Sequence, residues 1–244
     1  MSEVVRAPKA PRTLNFFETL GFGLLAYAAF AIGCWLTLAA LAVVHNVPST
    51  ALSVEPSKQG YLHATALLGA LPCVLAVIWI AVRRARRQFS EYLALIWPEP
   101  NEIVFALIIV FIGIQILGFI GGLIGAASDP GMVAEYRGVR DDGSLFLFLV
   151  AACIGAPIFE EFGVRGFLFR GWSESFVRPE GAIVLSSVLW AAYHTQYDWF
   201  GRFEIFVIGL IFGYFRYRSG STLLAVVMHS AANLYCFFLI ALVA

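Results

Sequence analysis

Residues 145–172 read LFLFLVAACIGAPIFEEFGVRGFLFRGW, an apolar stretch broken only by Glu160, Glu161 and Arg165 near its middle and by Arg170 near its end. About 20 apolar residues in a helix cover the ~30 Å hydrocarbon core of a bilayer, so the stretch predicts a membrane span. A carboxylate at that depth is costly unless it is paired, protonated or facing a wet cavity, which makes ionisable groups there functional candidates. Glu161 and Arg165 are four apart, so they share a helical face and can neutralise each other as a structural pair. Glu160 points about 100° away, on a face with Cys153, Ala156, Pro157 and Val164, none of which carries a counter-charge. It needs partners from other helices.

The rest of the chain belongs to the same class. Of 244 residues 60% are hydrophobic and only 13% charged, and the mean hydropathy is +0.82, outside the soluble globular range. The expected fold is all-α, a polytopic transmembrane helix bundle of about seven to eight spans. Residues 1–13 read as a cytoplasmic arm and residues 14–244 as a single membrane domain. The formal net charge is zero, so nothing in the total charge favours nucleic acid. Cys34, Cys73, Cys153 and Cys236 each lie in an apolar run without paired or metal-ligand spacing, and read as buried small residues. The first apolar run is too long for a cleavable signal and reads as the first span.

Taken in order, Leu14–Val44 and Gly60–Val82 are the first two spans, joined by a polar loop, with His45 and His63 as interfacial histidines. Arg83-Arg84-Ala85-Arg86-Arg87 then marks the cytoplasmic side, because cytoplasmic flanks are enriched in Lys and Arg; it also suits anionic lipid headgroups. Gln88–Asn101 reads as interfacial, Ile103–Ala127 as a third span with closely packing glycines, and Ser128–Ser144 as an acidic outer loop. Further spans are expected over Leu145–Trp172, Ala182–Tyr197, Phe203–Tyr217 and Thr222–Val243. Alternation puts the N-terminus inside, and eleven of the sixteen Lys and Arg then fall on the cytoplasmic side. The expected location is a bacterial cell membrane.

Three further polar residues lie in the last spans: His194, and His229 with Asn233 one helical turn on. At ~1.5 Å per residue, Glu160, His194 and Asn233 all lie ~17–18 Å and His229 ~11 Å from the inner ends of their helices, so convergence is expected. Such a group suits water activation. A desolvated carboxylate is a competent general base, an imidazole beside it can orient the same water, and His229 and Asn233 can donate to an oxyanion. No serine or cysteine sits in a nucleophile setting. Glu and His are acceptable zinc ligands, but the H-E-x-x-H spacing is absent.

Glu160-Glu161-x-x-x-Arg165, an aromatic four residues before His194, and His229-x-x-x-Asn233 together resemble the three motifs of the CAAX protease and bacteriocin-processing (CPBP, or Abi) family, whose eukaryotic members are the type II CAAX prenyl endopeptidases. The resemblance covers about residues 145–238, expected to be the catalytic core. It implies Glu160 as general base, His194 as its partner on the water, and His229 with Asn233 as oxyanion stabilisers. Glu161 and Arg165 would be supporting residues. It further implies an intramembrane glutamic endopeptidase with no cofactor and no metal, acting on a membrane-associated peptide or protein within the lipid bilayer. The second motif commonly begins with Phe, where this chain has Trp190. Two other readings stand beside this one: a non-catalytic Abi-type immunity or scaffold protein, and a small proton-coupled transporter, for which no inverted repeat is visible.

Overall fold

A computed structural model of the chain describes residues 10–45, 60–126 and 130–243. The beginning of the N-terminal arm and nearly all of the first polar loop, with the side chain of His45, lie outside the described residues. Every described element is helical: α1 (Phe16–His45), α2 (Gly60–Arg84), α3 (Phe89–Tyr92), α4 (Pro100–Ile124), α5 (Pro130–Asp141), α6 (Leu145–Ser173), α7 (Arg178–Tyr193), α8 (Trp199–Ser219) and α9 (Thr222–Val243). Five of them, α1, α2, α4, α6 and α9, are long and apolar enough to cross a membrane. Two expected crossings fall short of that description. α7 has 16 residues, about 24 Å of helix, and α8 carries Arg202, Glu204, Arg216 and Arg218.

Three expectations change in detail. Ser128–Ser144 is not an open acidic loop, because Pro130–Asp141 is helical. Its acidic and basic residues mask an apolar stripe, Val133, Tyr136 and Val139, at three-residue spacing, of which Tyr136 and Val139 pack with Phe148 and Phe237. α7 ends at Tyr193, so His194 sits just past a helix end and not inside a span. The end of the N-terminal arm is pinned: Arg12 N–H donates to Ala85 O at 3.0 Å, Arg86 and Arg87 donate to Ala10 O and Arg12 O, and Arg12 pairs with Glu18 at 2.6 Å. That carboxylate holds the Arg12 guanidinium above its ordinary value. The arginine cluster therefore anchors the end of the arm.

The core has two main parts. α1 and α2 run against each other and, with α3 and α6, bury Leu14, Ile78, Val82, Tyr92, Phe167 and Trp172. Tyr92 accepts from the Leu14 N–H, and burial pushes its phenol up to about 12. The second cluster joins α4, α7, α8 and α9 through Val110, Trp190, Phe212, Leu224 and Met228. The segment after α3 clamps the start of α9: Thr222 donates from N–H to Ala94 O at 3.0 Å and from its hydroxyl to Leu93 O at 2.5 Å. Gly220, at φ +68°, makes the left-handed turn that reverses the chain between α8 and α9. α6 is thereby held between the two clusters.

Small residues set how near α1 and α2 come. A Cβ built on Gly33 would lie 2.8 Å from the Ala70 Cα, a backbone atom that cannot step aside. Gly21 on the same helix has nothing within 4 Å of such a Cβ. Gly33→Ala is therefore expected to cost about 1–3 kcal/mol by overpacking, whereas Gly21→Ala should be neutral or slightly stabilising through helix propensity. Thermal unfolding of both variants in detergent checks this; equal melting would remove the close-packing account of Gly33.

Candidate active site

The site begins with an irregularity of α6. Pro157 has no N–H to continue the ladder, and the residues before it, Ala151–Gly155, widen into a π-helical turn; Phe162–Leu168 forms a second one after Glu161. Widened turns loosen carbonyls, and here side chains from other helices take two of them. Asn233 Nδ2 donates to Ala152 O at 2.8 Å, and Arg216 Nε donates to Arg165 O at 3.0 Å. Glu160 and Glu161 lie between the two turns.

The two glutamates face different environments, as their 100° offset requires. Glu161 and Arg165 are both 0% exposed, with Arg165 Nη1 donating to Glu161 Oε1 at 3.1 Å. The same Oε1 is 2.8 Å from His229 Nδ1, so that nitrogen carries the hydrogen. Arg165 Nη2 reaches Gly209 O at 3.2 Å, and a Cβ on Gly209 would stand 3.1 Å from that nitrogen, too near to leave it undisturbed. The guanidinium also lies 4.4 Å above the Trp190 ring and 5.5 Å from that of Phe212. Glu161 Oε2 and Arg165 Nε are buried with no hydrogen-bond partner among the described residues. The pair is thus held by a cation–π stack as well as by charge.

Glu160 turns toward α7. Its Oε2 accepts from Trp190 Nε1–H at 2.5 Å and lies 4.0 Å from His194 Nε2. His194 Nδ1 is 2.7 Å from Trp190 O, which can only accept, so Nδ1 is protonated and in the neutral ring Nε2 presents its lone pair to Glu160. Both side chains keep some access, 13% for His194 and 10% for Glu160. Arg202 serves the carbonyls of the loop after α7, donating to Tyr197 O at 3.0 Å and Thr195 O at 2.9 Å.

The sequence-predicted residues therefore assemble as two linked sets, Glu160 with His194 and Glu161 with Arg165 and His229, and Trp190 touches members of both. Asn233 joins α6 about two turns from Glu160, roughly 12 Å along the helix. Among the described residues no three His, Cys, Asp or Glu gather as a metal-ligand group. His63 stands apart, 2.6 Å from Glu135 of α5. Sequence reasoning missed the contacts of the Trp190 indole and the capping role of Arg216. The Trp190 indole N–H was a signal available in the sequence, since a buried indole needs an acceptor.

The buried pair yields a double-mutant prediction. Removing either partner strands the other charge in low dielectric, a loss of about 3–5 kcal/mol, while removing both is milder. Glu161→Ala and Arg165→Ala should each reduce folded protein recovered from membranes, and the double variant should recover part of it. Wild-type recovery of Glu161→Ala with turnover abolished would move Glu161 into the catalytic set.

Residues 142–235 match the family model described as type II CAAX prenyl endopeptidase Rce1-like. A curated relative, described as an uncharacterized 24.3 kDa protein of Escherichia coli, is 29% identical over 195 residues, covering 77% of this chain and 84% of that protein. No solved structure matches the chain. The five apolar helices together with this family's domain make the chain an integral membrane protein. Every residue of the two linked sets, with Trp190 and Asn233, lies inside the matched segment, and over that segment the chain is similar to the CAAX protease family.

Proposed function

We propose that the protein is an intramembrane endopeptidase that hydrolyses a peptide bond of a membrane-associated protein or peptide, with water activated by Glu160 and His194. The observation that carries this reading is the 4.0 Å separation of Glu160 Oε2 and His194 Nε2. That is too long for a direct hydrogen bond and suits one bridging water. A water ~2.7 Å from both atoms subtends roughly 95°, close to the angle between its own hydrogens. Giving both hydrogens to these acceptors, it turns its lone pairs outward, toward a substrate carbonyl.

The reaction then balances without a covalent enzyme intermediate. The water oxygen bonds to the carbonyl carbon, its proton passes to Glu160, and a tetrahedral oxyanion forms. The C–N bond breaks on collapse, and Glu160 returns the proton it took to the leaving amine, directly or by way of His194 Nε2. In its protonated form, His229 held at Nδ1 by Glu161 offers Nε2–H to the oxyanion. Asn233 has given one amide hydrogen to Ala152 O and retains a second for the same purpose. Glu161 and Arg165 fix the helix that carries Glu160.

The setting fits a bacterial cell membrane, supported by the Escherichia coli relative. Seven helical legs, the five apolar helices with α7 and α8, start from a cytoplasmic N-terminus, and the arginine distribution supports that orientation.

Purified protein in nanodiscs should cleave members of a peptide library, and Glu160→Gln should leave no measurable turnover. Activity should survive exhaustive chelation. Loss with phenanthroline, restored by zinc, would replace the glutamate mechanism by a metal one, and a wild-type protein that cleaves nothing would favour the immunity or scaffold reading.

Asn233→Ala separates two roles. A donor to the oxyanion costs about 10²–10³ in kcat with KM nearly unchanged. A residue that only caps the π-helical turn lowers thermal stability by about 1–3 kcal/mol and leaves the kcat of the folded fraction as it was.

A further inference from the structure

We infer that Trp190 is a positioning residue whose indole N–H aims the Glu160 carboxylate at the reacting water; this rests on the peptidase reading above. Three parts of the one residue hold three members of the site. The indole N–H donates to Glu160 Oε2 at 2.5 Å, the backbone carbonyl accepts from His194 Nδ1 at 2.7 Å, and the ring face carries the Arg165 guanidinium at 4.4 Å. The ring also meets the rings of His194 and His229, each at 5.3 Å between centroids.

The consequence is a shared frame of reference. A glutamate side chain has three rotatable torsions, and a general base is useful only when held within about 0.5 Å of its working position. An N–H bond to an ionised carboxylate is short, directional and about twice as strong as a neutral one. The oxygen that receives the indole N–H is the same Oε2 that faces His194 Nε2. The imidazole takes its tautomer and orientation from the Trp190 carbonyl. Both acceptors for the water are thus set from one residue, and their 4.0 Å spacing follows from it. Trp190 is itself fixed: it is 6% exposed and packs with Phe212, Leu224 and Met228.

Two replacements remove the N–H and keep an aromatic ring beneath Arg165. Trp190→Phe does so with a smaller ring, and β-(3-benzothienyl)alanine, introduced by suppression, does so with the indole's shape. Each is expected to lower kcat about 10- to 100-fold, the value of a hydrogen bond to a charged group, with KM unchanged; melting stays as in the wild type in the isostere and falls in the Phe variant, whose smaller ring packs less well beneath Arg165. A residue that merely filled space would change recovery and melting in the Phe variant and nothing in the isostere. An activity-independent arm uses the ¹⁵N-labelled indole resonances in nanodiscs. The resonance lost in Trp190→Phe identifies Trp190, and Glu160→Ala should move it upfield.

Turnover in the wild type with wild-type kcat in the isostere overturns the positioning role and leaves the peptidase reading standing. An indole resonance indifferent to Glu160→Ala overturns the contact itself. Absence of wild-type turnover beside a responsive resonance overturns the peptidase reading, and with it the catalytic purpose of a contact that is real.

Discussion

The Glu161 carboxylate, with Arg165 on one side and His229 on the other, is the constraint on which the rest of the site depends. Two full charges at 0% exposure carry a desolvation cost that mutual attraction alone seldom offsets. The protein adds a cation–π stack on Trp190, a backbone acceptor at Gly209 and an imidazole donor, drawn from α7, α8 and α9. Satisfying one ion pair thereby ties together the helices that bear the polar residues of the family motifs. Glu160, one residue away on the neighbouring face, joins that network through Trp190, whose indole N–H it accepts.

The irregular turns of α6 follow the same logic. A regular helix would keep its carbonyls to itself; the two π-helical turns loosen some of them, and Asn233 and Arg216 take up one in each. Backbone polar groups at membrane depth must be satisfied within the protein. A widened turn in that setting needs a side-chain partner. The partners come from α9 and α8, so the irregularity of one helix becomes a fastening between three. Arg202 does the corresponding work for the loop after α7, donating to the carbonyls of Tyr197 and Thr195.

Much of this was legible in the sequence because the physics is local. Hydropathy over ~20 residues identifies apolar helices, and a four-residue spacing pairs Glu161 with Arg165. Membrane depth counted from helix ends brought Glu160 and His194 to one level. The reading was weaker where apolar and polar residues mix at short range, as in α5, whose Val133–Tyr136–Val139 stripe is hidden among charges. It was weaker too where a helix stops early, since nothing in Trp190-Ala191-Ala192-Tyr193 announces that His194 lies past the end. Span number suffered for the same reason: α7 and α8 are helices whose length or charge keeps them from the composition of a full crossing.

By itself the sequence determined the class of the protein, the helices that are long and apolar enough to span, the family motifs and the identity of the polar residues inside them. Each of these depends on composition or on spacing within one helix, where 3.6 residues per turn converts position into direction. Only the tertiary structure decided which partner each polar group takes: Glu160 with the Trp190 indole, His229 with Glu161, Asn233 with the Ala152 carbonyl. These contacts join residues 30 to 81 positions apart. Such pairing depends on the rotation and close approach of whole helices, set by packing at glycines such as Gly33 and Gly209, and no periodicity along a single helix carries that information.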